Sequence, residues 1–437
     1  MSSPDRRVLF VCHSHPKVRA GGAETYAYEL HLALRETDGW EPVFVAKSGP
    51  PLSRSGRPHE GTYFAPVNDV DDEYFIYADG FDFDWLYGTM RHDKELYTEH
   101  LRHFLLAVQP DVVHFQHTLF IGYDAIRETR RTLPHVPIVH TLHEFLPICH
   151  AKGQMVRTMD NSLCDEQTPR RCHECFPEYS PQTFFLRTRF IQAQLDLVDL
   201  FVAPSRTLLE RFVAWGIPPE RILFEDYGRR IAPPSGDADA GGRRERRDRI
   251  GFFGQLSPHK GIDMLLTAMQ NLAADPAGAS PHLTVHGANL DLQDHAFRDE
   301  VTRLLDATCD SVTFAGPYRP DRVAELMRAV DWAVVPSIWW ENSPLVIQEA
   351  FAQGRPVICS DVGGMAEKVR DGVDGLHFRV RDADSLAATI RRAVTSPGLW
   401  ERLRDGIVPT HSMDDHVRVI IGSYERLLAQ RQAGRAA

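Results

Sequence analysis

The chain has 437 residues, of which 43% are hydrophobic and 25% charged, a composition typical of a globular protein with room for two or three domains. Its net charge of -11 and sequence pI of ≈ 6.0 argue against nucleic acid as the main partner, since no strongly basic face is evident. We find no run of about 18 apolar residues and no signal-peptide pattern at residues 1–7, so we expect a soluble, cytoplasmic protein without a transmembrane segment. Peripheral contact with the inner face of a membrane and the oligomeric state are left open.

In the first half of the chain, predicted strands alternate with predicted helices. The run "RVLFVCHSH" (7–15) predicts a buried strand, and a glycine pair and an amphipathic helix follow it. Four more buried strands are predicted at Val43–Ala46, Val112–Phe115, Ile138–Thr141 and Leu200–Ala203. Helical periodicity in Leu96–Val108 and Phe185–Leu197 supports a parallel sheet, and therefore one Rossmann-like domain over residues 1–228.

The composition changes at residues 229–249, which are rich in proline, glycine and charge and predict a linker. Strands and helices alternate again from Ile250 to about residue 411, which predicts a second Rossmann-like domain. Ser412 and Asp415 have the spacing of a capping box at the start of a final helix and tail over 412–437. Two such domains would face an interdomain cleft at the carboxyl ends of their strands, where open α/β sheets bind ligands.

The segment "WWENSPLVIQEAFAQG" (339–354) carries two glutamates, Glu341 and Glu349. At 3.6 residues per turn they would lie about 80° apart on one helix, and a proline separates them. Ser343 suits a helix N-cap and Pro344 the first helical position, which predicts a helix from Pro344 to about residue 353. Glu341 then belongs to the loop before the helix, whereas Glu349 lies within it.

The start of this predicted helix suits an anion. The amides of Leu345 to Ile347 and the positive end of the helix dipole would bind a diphosphate. Two carboxylates would repel phosphate, but they suit hydroxyl groups on either side of it, a sugar at Glu341 and a ribose at Glu349. A surface helix with two unrelated glutamates is the alternative.

The segment Glu341-"NSPLVIQ"-Glu349 has two glutamates separated by seven residues in a predicted strand–loop–helix setting. In this motif the chain resembles the family-four retaining glycosyltransferases, which it characterises. The resemblance extends to "AVVPS" before this motif, to residues 351–378 after it, and to "FFGQLSPHKGID" (252–263) and "GGAET" (21–25). It implies the α/β GT-B fold, with two Rossmann-like domains facing a cleft and a C-terminal helix that crosses back to the first domain. It also implies transfer of a sugar from a nucleotide-diphosphate sugar, with retention of anomeric configuration.

In the second domain the resemblance implies a donor site. Lys260 matches the family's diphosphate-binding lysine, whereas Gln255 replaces the usual arginine, so the helix amides, helped by His259, would neutralise more of the diphosphate charge. Gly363 and Gly364 would line the donor site because a β-carbon would block close approach. The implied donor-binding residues are Gly21, Gly22, Gln255, Lys260, Glu341, Asn342, Ser343, Pro344, Leu345, Val346 and Glu349.

In the first domain the family's histidine falls in "DVVHFQHTLF" (111–120), where His114 and Gln116 would share one face of a strand. We predict that His117 contacts the transferred sugar, with Gln116 as the alternative contact. The other interpretation is that His117 is a core or capping histidine without a ligand. His143 and Glu144, at another strand end, are implied as acceptor-side groups. The predicted catalytic residues are His117, Lys260 and Glu341.

No pair of base and nucleophile stands out, which suits a front-face mechanism in which the departing phosphate takes the acceptor proton. Catalysis would then consist of positioning and electrostatic stabilisation of the diphosphate, without a catalytic metal or other cofactor. The acceptor would be a hydroxyl of a saccharide, a lipid-linked substrate or a small molecule. The "DFD" at 82–84 resembles a metal-binding motif of the other glycosyltransferase fold, but its flanks indicate an acidic, aromatic surface loop.

Four of the seven cysteines follow the spacing Cys149-x14-Cys164-x7-Cys172-x2-Cys175. Such thiols could form a tetrahedral structural zinc site, and the segment between them has too little apolar content to hold itself by packing. Reduced thiols without metal, a disulfide and an iron–sulfur site are the alternatives. The other three cysteines, Cys12, Cys309 and Cys359, are predicted to lie in the core.

Other protein classes fit less well. A nucleotide-sugar epimerase would need acid/base carboxylates around the sugar, and a pyridoxal phosphorylase would need a Schiff-base lysine; we identify neither arrangement. A zinc-dependent nucleic-acid module conflicts with the net charge and leaves residues 250–437 unexplained. An NAD oxidoreductase would need a GxGxxG fingerprint, which "CHSHPKVRAGG" (12–22) lacks. Gln255 keeps open a protein that binds the donor but is catalytically weak.

Overall fold

The computed structural model describes residues 5–19, 21–49, 63–67, 70–77, 85–89, 94–231, 246–274 and 280–436. The chain divides into two units, of which unit 1 comprises Met1–Arg229 with His411–Ala437 and unit 2 comprises Arg230–Thr410. Most of the predicted linker (232–245) and the "DFD" at 82–84 lie outside the described residues.

Unit 1 is built on a sheet whose described strands have the order β3-β4-β2-β1-β5-β6-β7-β8. The strands are β1 Arg6–Cys12, β2 Trp40–Lys47, β3 Phe64–Pro66, β4 Glu73–Ile76, β5 Val112–Phe115, β6 Ile138–Thr141, β7 Leu200–Ala203 and β8 Ile222–Phe224. All described pairs are parallel except β3 with β4. The central strands were predicted because they are continuous apolar runs buried on both faces, whereas β3, β4 and β8 were not predicted.

The first six helices also belong to unit 1: α1 Gly22–Arg35, α2 Lys94–Val108, α3 Asp124–Thr132, α4 Pro169–Cys175, α5 Pro181–Leu195 and α6 Arg206–Trp215. Side-chain caps explain where several of them begin. Ser180 accepts a hydrogen bond from the Thr183 amide at the start of α5, and Ser205 accepts one from the Leu208 amide at the start of α6.

Unit 2 contains a parallel sheet with the described order β11-β10-β9-β12-β13-β14. Its strands are β9 Arg249–Gln255, β10 His282–Ala288, β11 Val312–Gly316, β12 Trp332–Val335, β13 Val357–Ser360 and β14 Gly375–Phe378. Its helices are α7 Ile262–Ala273, α8 His295–Ala307, α9 Val323–Ala329, α10 Leu345–Ala352, α11 Gly363–Lys368, α12 Ala383–Thr395 and α13 Leu399–Gly406.

The strands of unit 2 bury side chains on both faces of the sheet. Ile250 and Phe252 of β9 pack into a core that includes α7, α12 and α13, whereas Phe253 packs into a second core that includes α9, α10 and α11. The alternation follows from the two-residue period of a strand. Both units therefore show the predicted α/β class, with helices against a mainly parallel sheet.

The last helix, α14 Met413–Ala436, belongs to unit 1 and packs against α1, as predicted for a C-terminal helix that returns to the first domain. One half of its predicted capping box is present, because Ser412 Oγ accepts from the Asp415 amide at 3.1 Å. The Asp415 carboxylate accepts from the Ser412 hydroxyl at 2.6 Å, and this bond takes the place of the one from the Ser412 amide that a capping box has. His114 of β5 is fully buried and bonds the Tyr424 hydroxyl of α14 at 2.6 Å and Thr141 at 2.7 Å. His114 therefore anchors this helix.

Among the described residues, no helix has both the length and the apolar character needed to cross a membrane.

Candidate active site

The loops that follow β9 and β12 in unit 2 are in close contact. The 3-10 turn Pro258–Lys260 leads into Gly261, whose φ is +66°, and a β-carbon there would lie 2.1 Å from the Pro336 carbonyl oxygen. The Ile338 amide donates to the His259 carbonyl at 2.9 Å. Only glycine allows this approach, which brings Lys260 beside the loop that carries Glu341.

Lys260 and Glu341, both predicted to be catalytic, form an ion pair. Glu341 Oε1 lies 2.5 Å from Lys260 Nζ and accepts further hydrogen bonds from Ser337 Oγ at 2.7 Å and Trp339 Nε1 at 3.1 Å. Burial works to raise the pKa of Glu341, but the Lys260 charge and these hydrogen bonds outweigh it and hold the pKa below its usual value. The carboxylate is therefore ionised, and its other oxygen accepts no hydrogen bond from the described residues.

Helix α10 begins one residue later than predicted. Pro344 has an extended ψ of 118° and is the N-cap, so that Leu345 is the first helical residue, and Ser343 does not cap the helix. The Ile347 amide is also not available to an anion, because it donates to the Pro344 carbonyl at 3.1 Å. The amides of Leu345 and Val346 have no acceptor among the described residues, which leaves two donors at the positive end of the helix.

The turn after β13 holds the Glu341 loop in place. The Gly364 amide donates to the Glu341 carbonyl at 2.7 Å, and a β-carbon at Gly364 would lie 1.3 Å from the Asn342 carbonyl oxygen. Gly363 has a φ of +59°, and its β-carbon would lie 2.8 Å from the Glu341 carbonyl oxygen. Both predicted glycines are therefore required for backbone approach, and Asn342 is buried beside them.

The remaining donor-side residues of unit 2 are more open. Glu349 is half-buried in α10, and its charge adds to burial in raising the pKa of Tyr318. Gln255 ends β9 and is exposed. It puts a neutral amide where the resemblance implied an arginine.

In unit 1, the predicted residues lie where two neighbouring strands end. Gln116 and His117 directly follow β5, and His143 and Glu144 follow β6. The alternation argument placed Gln116 on the strand, but β5 ends one residue earlier. Because the carboxyl ends of parallel strands meet at one edge of a sheet, the four side chains come together.

A hydrogen bond defines the tautomer of His117, and two contacts hold the ring of His143. His117 Nδ1 accepts from the Leu119 amide at 3.0 Å, so the neutral ring carries its proton on Nε2, which lies 3.4 Å from Glu144 Oε1. His143 lies between the Tyr227 hydroxyl, 2.5 Å from Nδ1, and Gln116 Oε1, 3.3 Å from Nε2. The rings of His117 and His143 are stacked with centroids 6.1 Å apart.

Burial sets the charge of this group. Burial and neighbouring histidines lower the pKa of His117 and of His143 well below the usual value, so both rings are neutral at neutral pH. Burial also raises the pKa of the Glu144 carboxyl to about 8. Gly153 allows the backbone to pass this carboxyl, because a β-carbon at Gly153 would lie 1.8 Å from Glu144 Oε2.

The sequence analysis did not single out His13 and Glu24, which lie beside this group. His13 Nε2 is 3.0 Å from Glu24 Oε1, and the His13 ring is 4.5 Å from the His117 ring. Burial lowers the pKa of His13, but hydrogen bonds to Cys12 and Glu24 outweigh it and raise the pKa to about 10. The sequence offered two signs of this pair. One was a histidine just after β1, and the other was a glutamate three positions after the first glycine of "GGAET".

The glycine pair Gly21–Gly22 precedes this glutamate. Gly21 is the N-cap of α1, and a β-carbon there would lie 2.5 Å from Glu24 Oε2. Gly22 is the first residue of α1 rather than part of the loop.

All seven cysteines are free thiols. Burial raises the pKa of Cys149 and Cys172, and the thiols of Cys164 and Cys175 add to the effect at Cys172, so the four lie in one region. Zinc would hold its sulfur ligands about 3.8 Å apart, but the described residues contain no three of these thiols within 4.8 Å of one another. The thiols as placed do not form a closed zinc site, and structural zinc stays a prediction. Cys309 is exposed, so its predicted place in the core was wrong.

Comparisons with known proteins support the resemblance in both halves. A model of the family described as "Glycosyltransferase Family 4" matches residues 20–223, and one described as "Glycosyl transferases group 1" matches residues 247–396. A D-inositol 3-phosphate glycosyltransferase of Geodermatophilus obscurus is 34% identical over 237 residues, which cover 46% of this chain and 52% of that protein. One of Acidothermus cellulolyticus is 28% identical over 316 residues, covering 68% of this chain and 63% of that protein. The chain thus spans about half to three fifths of the length of these relatives.

Solved structures support the same fold. Sucrose-phosphate synthase from Thermosynechococcus elongatus is similar with a TM-score of 0.70 at 18% identity, covering 97% of this chain and 100% of that one. Anabaena HepE in complex with UDP and glucose is similar with a TM-score of 0.64 at 16% identity, covering 96% of this chain and 100% of that one. The two family matches together cover most of both halves and show that the chain belongs to the family-four glycosyltransferases, and the two similar structures show the GT-B fold.

Proposed function

We propose that the chain transfers a sugar from a nucleotide-diphosphate sugar to a hydroxyl acceptor, with retention of anomeric configuration. The observation that carries this proposal is the ion pair of Lys260 with Glu341, whose loop leads into α10, together with the two amides at the start of α10 that have no acceptor among the described residues. A cation and two aligned amides suit a diphosphate, whereas a carboxylate with one oxygen available suits a sugar hydroxyl.

Donor binding would use both the cation with the two amides and the carboxylate of Glu341. The Lys260 ammonium, while paired with Glu341, would also contact the diphosphate. The amides of Leu345 and Val346 would donate hydrogen bonds to the same diphosphate. The oxygen of Glu341 that accepts no hydrogen bond from the described residues would accept one from a sugar hydroxyl. Glu349, one turn into α10, would accept hydrogen bonds from the ribose.

The histidine group of unit 1 supplies neutral donors for the sugar and the acceptor. His117 carries its proton on Nε2, and Glu144, with a pKa near 8 through burial, is largely protonated at neutral pH. Either group can therefore donate a hydrogen bond to a hydroxyl oxygen without carrying a charge. We assign His117 to the transferred sugar, and His143 and Glu144 to the acceptor side.

The proposed step is a front-face displacement. The bond between the anomeric carbon and the diphosphate oxygen breaks, the acceptor oxygen bonds to the same face of that carbon, and the departing oxygen takes the acceptor proton. Lys260 and the helix amides stabilise the negative charge that grows on the diphosphate. No metal takes part in this step.

The acceptor class is suggested by the relatives. Those with 28% and 34% identity are named D-inositol 3-phosphate glycosyltransferases, so a polyol or sugar phosphate is the first acceptor class to test. Saccharides and lipid-linked hydroxyls are the other acceptors that the sequence analysis left open.

The test combines a donor panel with product analysis. UDP-, GDP- and ADP-sugars are screened by thermal shift, and the donor that stabilises the chain is incubated with each acceptor class in the presence of a chelator. We expect one donor to stabilise the chain and proton NMR of the product to show the anomeric configuration of the donor. Inverted product, epimerised donor or phosphorolysis would each contradict the proposal, and loss of activity with chelator would contradict its metal independence.

The exposed Gln255 favours a second candidate function, that of a protein that binds the donor but transfers slowly. The two are distinguished by Gln255→Arg, which restores the charge that the family usually has. A large rise in transfer rate at unchanged donor affinity favours the weak transferase, and an unchanged rate favours a fully active enzyme that relies on the helix amides.

A further inference from the structure

Three ligand-type side chains that the proposed reaction does not use meet in unit 1. Glu225 directly follows β8, and His411 and His416 flank the first residue of α14. Glu225 Oε1 lies 2.7 Å from His411 Nε2 and 2.9 Å from His416 Nδ1. The three ligand atoms all lie within 4.8 Å of one another.

This cluster lies where the chain leaves and re-enters unit 1. The chain leaves after Arg229 and returns at His411. The Arg229 amide donates to the His411 carbonyl at 3.2 Å, and the Met413 amide donates to the Arg229 carbonyl at 3.2 Å. The backbone therefore already joins the two crossing segments, and the side-chain cluster joins them a second time.

We propose that Glu225, His411 and His416 bind a divalent transition-metal ion, with zinc as the representative ion. Two imidazoles and a carboxylate are ligands that zinc accepts, and three protein ligands leave a fourth position for water. With bond lengths of about 2.0–2.2 Å, tetrahedral zinc ligands lie about 3.3 Å apart. The observed separations of 2.7 and 2.9 Å need to widen by only about half an ångström when a metal ion replaces the bridging protons.

The surroundings of the cluster suit a cation. His416 is fully buried, and its second ring nitrogen, Nε2, lies 2.8 Å from the Tyr26 hydroxyl. Such a contact on the far nitrogen orients a metal-binding imidazole and selects its tautomer. The His411 side chain is 31% exposed, which gives an ion access from solvent.

A second cluster of three such side chains, His31, Asp72 and Glu73, is less suitable. Glu73 already accepts hydrogen bonds from the Tyr28 hydroxyl at 2.7 Å and from Lys17 Nζ at 3.2 Å. The Lys17 ammonium would repel an incoming metal ion. Of these two clusters, we therefore place the metal at Glu225, His411 and His416.

The test uses the full chain, freed of metal with a chelator and titrated with Zn²⁺ in a calorimeter. We expect wild type to bind one more zinc ion than His411→Ala, or to bind it at least tenfold more tightly. His282→Ala, which removes an exposed histidine of unit 2, is the matched control and should bind like wild type. Equal stoichiometry and affinity in wild type and His411→Ala would overturn the proposal.

Cobalt substitution separates this site from the cysteines and does not depend on a variant that folds. Co²⁺ bound by nitrogen and oxygen gives ligand-field bands without the intense sulfur-to-metal charge transfer of a thiolate site. We expect wild type to show the bands of nitrogen and oxygen ligation, and His411→Ala to lose them. A Co²⁺ spectrum that contains only thiolate bands, or no bands at all, would show that the three side chains form a hydrogen-bonded cluster without metal.

Discussion

Lys260 and Glu341 are 81 residues apart in sequence, and their side chains form an ion pair inside unit 2. The pair explains how a carboxylate can lie next to the proposed diphosphate site. The negative charge of the Glu341 carboxylate is already balanced by Lys260 and by hydrogen bonds from Ser337 and Trp339. In the proposed complex, Glu341 can therefore contact a sugar hydroxyl without repelling the donor phosphates.

Replacing Lys260 tests this arrangement. We expect Lys260→Ala to lower kcat/KM by about 10²–10³, the loss typical of removing one donor that stabilises a developing negative charge. Steady-state kinetics with the donor found in the panel gives the measurement. Arg303→Ala, which removes an exposed charge paired with Glu300 on α8, is the control, and its kcat/KM should equal that of wild type. A loss of less than about threefold in Lys260→Ala would show that the helix amides alone neutralise the diphosphate.

The pair of His13 and Glu24 predicts a pH dependence of stability. Because the pKa of His13 is raised to about 10 in the folded chain, its charge stabilises the fold fully below pH 6.5, the value of a free histidine, and this contribution is lost as the pH rises towards 10. We expect Glu24→Gln to lose roughly 1.5–3 kcal/mol of unfolding free energy near neutral pH, as for a charge-assisted hydrogen bond.

The measurement is chemical denaturation of wild type and Glu24→Gln at several pH values between 6.5 and 10. Comparing the two chains removes the titration of groups that they share. The difference in unfolding free energy should shrink as the pH rises. A difference that stays constant across this range would mean that the pair is not charged.

Gly364 is predicted to be irreplaceable for steric reasons. In Gly364→Ala the new β-carbon would lie 1.3 Å from the Asn342 carbonyl oxygen, so the Glu341 loop would have to move. We expect the free energy of unfolding to fall by roughly 3 kcal/mol or more, at the upper end of the effects of single substitutions. We also expect weaker donor binding.

Thermal unfolding and donor titration provide the measurement. The control is Gly372→Ala, because Gly372 has a φ of +72° but no atom within 4 Å of the new β-carbon. It isolates the cost of a left-handed backbone, about 1–2 kcal/mol. If Gly364→Ala were no worse than this control, the loop would not be held by the glycine turn.

The stability of the chain would depend on zinc if the four thiols of the cysteine region moved close enough together to bind one ion. Should Cys149, Cys164, Cys172 and Cys175 bind structural zinc, chelation would lower the melting temperature, and Cys172→Ser would lose one zinc ion measured by mass spectrometry. Cys309→Ser, at an exposed thiol outside the region, is the control. Equal zinc content in wild type and Cys172→Ser would leave these cysteines as reduced thiols.

Local pattern was sufficient for much of the fold. Strands β5, β6 and β7 were predicted with their observed bounds, and the bond between Ser412 and the Asp415 amide at the start of α14 was predicted from the spacing of two residues. These features depend on neighbours within a few positions, such as an apolar run or a side chain that reaches an amide three residues on. Strands β3 and β4 were missed because they are short and gain their stability by joining β2, which no local pattern records.

The sequence by itself determined that this chain has two α/β halves and a pair of glutamates around a helix start, because periodicity and spacing are local properties. Only the tertiary structure decided which partners those side chains have. It paired Glu341 with Lys260, placed His13 and Glu24 beside His117, and used His114 to anchor α14 rather than to line the site. Each of these contacts joins different strands, helices or loops. Such contacts depend on how the sheet brings its strand ends together, so no spacing along the chain could predict them.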